Sequence, residues 1–129
     1  MKINSLLQRL QENDYKLTQA RKDICDSIKK TKKIFSVQQI SKYIPHVDTA
    51  SVYRTFEILE KINIITPVTR IDGEQFYEKY DEKDHHHHII CKKCKKAKCV
   101  DCKLHIPNIP GFNNITHSTI LTGLCNKCI

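Results

Sequence analysis

Apolar residues recur every three or four positions in four segments of the first half of the chain, which predicts four amphipathic helices. Their apolar positions are, in chain order, Ile3, Leu6, Leu7 and Leu10; Ala20, Ile24 and Ile28; Val37, Ile40 and Tyr43 or Ile44; and Val52, Phe56, Leu59 and Ile62. The polar residues that suit the helix N-caps are Ser5, Thr18 and Ser36, and the fourth helix is expected to start near Asp48 or Thr49. Pro45 ends the third helix, because the residue before a proline avoids the helical conformation.

Two strand-like runs follow the fourth helix. They cover residues 64–70 and 75–80, and Asp72-Gly73 lies between them. Asp-Gly favours a tight hairpin turn because both turn residues need a positive φ. Helices followed by a hairpin are the element order of a winged helix-turn-helix, whose second helix enters the major groove of DNA. We therefore expect a winged-helix DNA-binding domain over residues 1–82.

The first two turns of the fourth helix carry polar side chains that suit DNA recognition: Thr49, Ser51, Tyr53, Arg54 and Thr55. Such groups hydrogen-bond phosphates, donate to guanine or touch a thymine methyl. They are equally typical of a solvated helix surface, so this feature alone leaves both interpretations open.

The cysteines and histidines lie mostly in the last third of the chain. There are 7 Cys and 7 His, and all but Cys25 and His46 come after residue 84. A charged segment without apolar periodicity, residues 80–84, marks a linker to a second domain over residues 83–129. No apolar stretch nears the ~20 residues of a membrane span, and no signal-peptide pattern opens the chain. We expect a cytoplasmic protein with no membrane partner, in which thiols stay reduced and serve metal or redox chemistry.

Positive charge is uneven along the chain. The 22 Lys+Arg and 14 Asp+Glu give a net charge of +8. Residues 1–83 hold 15 basic and 12 acidic residues, a net charge of +3. Residues 84–129 hold 7 basic and 2 acidic residues, a net charge of +5. A basic balance makes nucleic acid a plausible partner without establishing one.

Three Cys-x-x-Cys pairs indicate a metal site: Cys91/Cys94, Cys99/Cys102 and Cys125/Cys128. The spacing lets both sulfurs of a pair reach one tetrahedral ion, and two pairs complete a closed zinc site. Which two pairs share the ion is left open, although Cys94 and Cys99 are so close that the first two pairs would have to fold back tightly. A thioredoxin-like role for one pair is the alternative, but no βαβ pattern surrounds any of them.

Four consecutive histidines, His85 to His88, run directly into Ile89-Ile90-Cys91. The β-branched residues predict an extended segment whose side chains alternate between two faces. His85 and His87 would point one way and His86 and His88 the other, so the run can supply two metal sites. Further candidate ligands are Glu78, Asp101, Cys99, Cys102, His105 and His117.

Several motifs in a fixed order resemble the ferric uptake regulator family. They are Leu17-Thr18-Gln19-x-Arg21, Ala50-Ser51-Val52-Tyr53-Arg54-Thr55, Phe76-Tyr77-Glu78, the histidine run before Cys-x-x-Cys, and His117 with the final Gly123-Leu-Cys-x-x-Cys. Members are homodimeric, metal-responsive bacterial transcription factors, usually repressors, that sense iron, zinc, manganese or peroxide. The resemblance implies an α+β fold, with an N-terminal winged helix-turn-helix domain followed by a small α/β metal-binding dimerisation domain.

The resemblance also implies roles for individual residues. Tyr53 and Arg54 match the family's base-contacting pair and Lys16 its minor-groove lysine, with Arg21 as a further DNA contact. The structural Zn²⁺ site matches Cys91, Cys94, Cys125 and Cys128. A second, regulatory divalent metal, Zn²⁺ or Fe²⁺, is implied at Glu78, His86, His88 and Cys99. A further site is implied at His85, His87 and His117, with His105 as its fourth ligand.

The chain departs from the family pattern at several places, including Lys95, which replaces the glycine that usually follows the second cysteine of the first pair. Ile34 stands where members often carry a sensor histidine, and Cys99 replaces an acid. Losing an imidazole and gaining a thiolate favours zinc over iron or manganese, with Cys102 or Asp101 as the alternative ligand. The long helix expected next is reduced to residues 103–110, where two prolines leave little room for it.

We therefore expect a regulator and not an enzyme: a homodimer that represses transcription by binding a palindromic double-stranded DNA operator when zinc or iron fills its sensor site. The rival hypotheses are a zinc-dependent hydrolase with a His-rich site and a zinc-ribbon interaction module without DNA binding. No pocket-forming scaffold supports the hydrolase. The Tyr53-Arg54 face and the Asp72-Gly73 wing argue against a plain zinc ribbon.

Overall fold

The computed structural model describes residues 3–31, 34–79, 86–101, 107–115, 117 and 119–129, with the backbone alone at 3–5 and 86. The chain forms two compact units, Met1–Tyr80 and Asp81–Ile129. Every described helix belongs to the first unit. None of these helices combines the length and the apolar character needed to cross a membrane.

The first unit has four helices and a three-stranded sheet. In chain order its elements are α1 (Ile3–Glu12), α2 (Gln19–Lys30), β1 (Ile34–Ser36), α3 (Val37–Tyr43), α4 (Thr49–Lys61), β2 (Ile65–Ile71) and β3 (Glu74–Lys79). The four predicted helices and the hairpin are confirmed, and with them the α+β class. Strand β3 is central and pairs antiparallel with both β1 and β2. The sequence does not predict β1, because three residues are too few to show an alternating pattern.

Side-chain caps determine where the helices begin. The side chains of Thr18, Ser36 and Asp48 each accept a hydrogen bond from the backbone N–H three residues further on. Each cap satisfies a donor that the helix itself leaves unpaired. The predicted caps at Thr18 and Ser36 are confirmed, and so is the start of the fourth helix near Asp48 or Thr49. The predicted cap at Ser5 is wrong, because α1 begins before it and Ser5 lies inside the helix. Helix α3 ends ahead of Pro45, as expected.

Aromatic rings join α4 to the sheet in the core of the first unit. The Phe56 ring meets the rings of Phe35 and Tyr77 edge-on, with centroids 5.7 and 5.2 Å away. The other buried members of this core include Leu6, Leu10, Ile24, Cys25, Ile28, Val37, Ile40, Val52, Leu59, Ile64 and Ile65. Burial raises the pKa of Cys25 to about 12, so this thiol packs as a small apolar side chain.

Two turns fix the ends of the elements that flank this core. The hairpin turn has φ values of 51° at Asp72 and 79° at Gly73, as the Asp-Gly prediction requires. The turn between α3 and α4 is tied to α2 by the contact of His46 Nε2 with the Asp23 carboxylate, 2.9 Å apart. The hydrogen bond with His46 also lowers the pKa of Asp23. Helix α4 is therefore anchored both at its start and along its length.

The described part of the second unit is a three-stranded sheet of β4 (His86–Cys91), β5 (Ala97–Asp101) and β6 (Ile120–Gly123). Strand β4 is central, antiparallel to β5 and parallel to β6. The extended segment predicted for the histidine run is thus observed from residue 86 onward. No helix occurs in the described stretches of this unit. The helical part of the expected α/β domain therefore does not lie in them, and residues 103–106 fall outside the description.

We expect Phe56→Ala to destabilise the first unit by about 3–5 kcal/mol, because the change deletes a buried ring and leaves a cavity against the sheet. Phe56 is only 1% exposed. Urea unfolding followed by far-ultraviolet circular dichroism measures the effect, since the described helices all belong to this unit. The adjacent exposed position supplies the control, Glu57→Ala, which should change stability by no more than about 0.5 kcal/mol. Equal unfolding midpoints for the two variants would contradict the packing.

Candidate metal centre and DNA-reading face

The parallel pairing of β4 and β6 brings two Cys-x-x-Cys pairs to one end of the second sheet. Cys91, the last residue of β4, lies opposite Gly123, the last residue of β6. The backbone N–H of Lys92 donates to the Gly123 carbonyl at 2.9 Å. Because parallel strands run in the same direction, the turns that follow them, residues 92–94 and 124–128, leave the sheet at the same end.

Four cysteine sulfurs meet at this end, all within 4.8 Å of one another: those of Cys91, Cys94, Cys125 and Cys128. The Sγ atoms of Cys94 and Cys125 are 3.7 Å apart. A tetrahedral zinc ion with Zn–S bonds of ~2.3 Å holds its sulfurs about 3.8 Å apart. The structure thus groups the first and third pairs, and the group fits a structural Zn²⁺ ion.

Hydrogen bonds give these thiols different acidities. Cys91 Sγ accepts from the backbone N–H groups of Cys94 and Cys125, each at 3.5 Å. These bonds lower the pKa of Cys91 to about 5, because N–H donors favour the charged sulfur. The hydrogen bond with Cys125 raises the pKa of Cys128 to about 12. An ion bound by all four sulfurs therefore has to displace the Cys128 proton.

Cys99, from the middle pair, lies beside a histidine of β4 and not in the sulfur cluster. It is the cross-strand neighbour of His88, and its Sγ is 3.9 Å from His88 Nδ1. His88 is 2% exposed, whereas Cys99 is exposed. Asp101 is the cross-strand neighbour of His86. The side chain of His86 and the whole of Cys102 lie outside the described residues.

His87 belongs to a different group from His88. Its ring centroid is 5.1 Å from that of His117, and its Nδ1 accepts the backbone N–H of Thr119 at 3.2 Å. Adjacent residues of a strand face opposite sides of the sheet, so the two buried histidines serve two separate clusters. His85 and His105, the other two expected ligands of the further site, lie outside the described residues.

Glu78 lies on β3 of the first unit and is half-buried. Its cross-strand neighbours are Ile34 of β1 and Thr66 of β2. Ile34 is 5% exposed and stands where the family often has a sensor histidine. Strand β1 therefore places an apolar side chain, and no imidazole, directly across from this carboxylate.

Helix α4 presents Tyr53 and Arg54 on its exposed side. Tyr53 is 48% exposed, and Arg54 and Thr49 are exposed as well. The Arg54 guanidinium donates to the Ser51 hydroxyl at 3.2 Å, and that hydroxyl donates to the Asp48 carboxylate at 2.6 Å. The hydrogen bond from Ser51 lowers the pKa of Asp48. The helix cap thus also holds Arg54 in place along the first turn.

Thr55 does not belong to this exposed side, and its predicted contact with DNA is wrong. Its side chain is 3% exposed, and its hydroxyl donates to the Ser51 carbonyl at 2.9 Å. The position falls on the same face of α4 as Val52, Phe56 and Leu59, which are buried in the core. Polarity alone suggested a DNA contact, whereas the helical period assigns Thr55 to the packed side.

Arg21 shapes the turn in which Lys16 lies. Its guanidinium donates to the Lys16 carbonyl at 2.6 Å and lies over the Tyr15 ring, 5.8 Å from the centroid. The Lys16 side chain is exposed. Lys16 and Arg21, both predicted to contact DNA, therefore lie next to each other. Arg21 is half-buried, and its guanidinium stabilises the turn.

The structure adds residues to this face that the sequence patterns do not reveal. Gln38 of α3 and Arg70 of β2 line a cavity of about 180 Å³ together with Tyr53 of α4. Gln38 and Arg70 are both exposed. Arg70 pairs with Gln75 across the hairpin. The register of the predicted hairpin is therefore the sequence feature that could have placed Arg70 on the wing.

Comparisons with known proteins match nearly the whole chain. A profile of the Ferric uptake regulator family matches residues 12–107. The Ferric uptake regulation protein of Staphylococcus epidermidis (strain ATCC 12228 / FDA PCI 1200) is 32% identical over 138 residues, covering 99% of this chain and 96% of that protein. The solved structure of the Helicobacter pylori ferric uptake regulator Fur, described as having three functional metal binding sites, has a TM-score of 0.73 at 22% identity and covers 99% of this chain and 94% of that one.

A second solved structure, the ferric uptake regulator of Francisella tularensis with iron, has a TM-score of 0.67 at 26% identity, covering 88% of this chain and 94% of that one. The family profile alone spans well over half of the chain. Proteins of this fold have an N-terminal winged-helix domain and a C-terminal dimerisation domain, the order in which the two units occur here. The chain belongs to the ferric uptake regulator family, whose members are dimeric, DNA-binding, metal-responsive transcriptional regulators.

Proposed function

We propose that this chain is a repressor that binds a palindromic operator as a homodimer when zinc or iron fills its regulatory site. The arrangement of β4 carries the proposal. Cys91 at its end belongs to a thiol cluster, and the buried His87 and His88 each meet a metal-binding type of side chain. One short strand thereby supplies ligands to three separate metal sites.

Zn²⁺ at the four-cysteine cluster has a structural role in this proposal. Cys91 ends β4 and Cys94 follows it, while Cys125 and Cys128 follow β6. Zinc binding therefore links the ends of the two parallel strands. A site closed by four thiolates leaves no open position for a catalytic water. Structural zinc of this kind contributes on the order of 10 kcal/mol to folding in small domains.

The regulatory ligands are His88 and Cys99, together with His86 and Glu78. The Nδ1–Sγ distance of 3.9 Å is near the about 3.6 Å expected for a nitrogen and a sulfur on one tetrahedral zinc. A thiolate ligand favours zinc over iron. Ile34, across from Glu78, offers no imidazole where the family often has a histidine ligand. Because the site lacks this imidazole and gains a thiolate, we propose zinc as the preferred metal.

A third site is formed by His87 and His117, with His85 and His105 as the remaining ligands. The ring separation of 5.1 Å suits two imidazoles that converge on one ion. The Thr119 N–H donates to His87 Nδ1, and a neutral imidazole that accepts at Nδ1 carries its proton on Nε2. An ion therefore binds this ring only after that hydrogen bond is broken.

Metal acts as an allosteric ligand because the regulatory ligands come from both units. Glu78 belongs to the first unit, whereas His86, His88 and Cys99 belong to the second. A shared ion restricts the linker and favours the arrangement in which two recognition helices are about 34 Å apart, as successive half-sites require. Metal then strengthens DNA binding by its preference for that arrangement.

The base-reading residues are Tyr53 and Arg54, supported by Thr49 and Ser51 at the start of α4. Lys16 contacts the minor groove or its phosphates, and Arg21 positions it. The exposed guanidinium of Arg54, held by Ser51, supports a role in reading guanine, because arginine pairs with the guanine edge in a bidentate manner.

Cys125→Ser should lose the structural zinc and unfold the second unit, because metal binding here is folding free energy. Cys99→Ser is the matched control: it should keep the structural zinc and lose only the regulatory metal. Elemental mass spectrometry of both variants, with circular dichroism, measures the two outcomes. If Cys125→Ser kept its full zinc content while Cys99→Ser lost it, the assignment of the two sites would be wrong.

Arg54→Ala should weaken specific operator binding by about 1–3 kcal/mol, because it removes a base contact. Fluorescence anisotropy with a duplex that the wild-type protein selects from a random library measures the change. Lys61→Ala, an exposed cation at the other end of α4, is the control and should have a smaller effect. Equal losses for the two variants would reduce Arg54 to a general charge contribution.

A further inference from the structure

The end of the second sheet that carries the thiol cluster is also strongly basic. Among the described residues after Ile90, the charged side chains are Lys92, Lys93, Lys95, Lys96, Lys98, Lys127 and a single acid, Asp101. Lys95 donates to the Lys92 carbonyl at 2.8 Å, whereas the other five lysines are exposed. Within the described parts of the chain, none of these five forms an ion pair. Their charge is therefore available to an external anion.

Three of these lysines border one cavity of about 400 Å³: Lys96, Lys98 and Lys127. We call it the lysine cleft. Its apolar lining includes Ile89, Ala97 and Leu124, and none of the described residues that line it is acidic. The volume is within the roughly 300–1,000 Å³ of ordinary ligand sites. A cationic rim over an apolar wall suits a phosphodiester, whose anionic phosphate is flanked by less polar sugars.

The distribution of charge supports DNA as the source of that phosphodiester. Contacts with phosphates supply much of the affinity of DNA-binding proteins. The winged-helix part, residues 1–83, has a net charge of only +3, against +5 for residues 84–129. Four thiolates around one Zn²⁺ lower the net charge of residues 84–129 by about two, from +5 to about +3. The metal-binding part therefore still carries as much net positive charge as the winged-helix part.

We propose that the lysine cleft binds the DNA phosphate backbone, as a contact separate from the winged helix. The proposal rests on the DNA binding proposed above, and it adds a surface that the recognition helix does not provide. Lysine contacts with phosphates raise affinity without reading sequence. The cleft should therefore strengthen binding equally on every duplex, and the effect should weaken as salt increases.

Two double variants of equal charge test the cleft. Lys96→Gln/Lys98→Gln removes two rim charges, whereas Lys92→Gln/Lys93→Gln removes two exposed charges of the same segment that do not line the cavity. Binding of each zinc-loaded full-length protein is titrated at several salt concentrations. The probes are a selected duplex and a scrambled duplex of equal length. The slope of log K against log salt should become shallower by about 0.9 for each phosphate-contacting lysine that is removed. We expect this change for the rim variant on both duplexes and a smaller change for the control variant.

An unchanged slope in the rim variant, or the same decrease in both variants, would overturn the cleft. Lys96→Arg/Lys98→Arg should retain the wild-type slope, and zinc content with circular dichroism verifies that each variant is folded. Failure of the proposed function looks different. A wild-type protein that does not prefer the selected duplex overturns operator recognition, whereas preserved preference with an insensitive rim variant overturns the cleft alone.

Discussion

The parallel pairing of β4 with β6 is the interaction on which the metal-binding unit depends. It sets Cys91 opposite Gly123, and the two Cys-x-x-Cys turns then start from the same edge. Antiparallel pairing would send the second pair to the other end of the sheet and separate the four sulfurs. A sheet of three short strands buries little apolar surface. A Zn²⁺ ion held by the four sulfurs would cross-link the ends of β4 and β6 and so help to hold the histidines of β4 in position.

The second unit also depends on the central position of β4, because this strand carries two buried histidines. Because β4 has a neighbour on each side, His87 and His88 are 7% and 2% exposed and meet different partners across the sheet. Imidazoles held in this way have little rotational freedom left to lose when an ion binds. In the proposed regulatory site, the Cys99 thiol stands where the family resemblance places an acid, and it would favour a softer metal without changing the pairing of β4 with β5.

Local sequence patterns predicted the local features but not the pairing of distant segments, and the four-cysteine grouping was implied only by the family resemblance. The caps at Thr18 and Ser36 and the Asp72-Gly73 turn follow from interactions within a few residues, and all of them are observed. The pairing of β1 with β3 joins segments about forty residues apart and left no pattern in three residues. The grouping of the cysteines likewise depends on β6 returning to β4, which spacing cannot show. Thr55 is polar but lies on the buried face of α4, because the helical period and not polarity determines which side of the helix a residue occupies.

The central claim is that metal at the histidines of β4 controls the affinity of the winged helix for DNA. The most direct measurement is an operator titration of one protein preparation, first with Zn²⁺ supplied and then after a chelator has removed all metal except the structural zinc, verified by elemental analysis. A coupling of about 1–3 kcal/mol predicts binding roughly 5–150-fold tighter with metal supplied. Equal affinity in the two states would contradict the account.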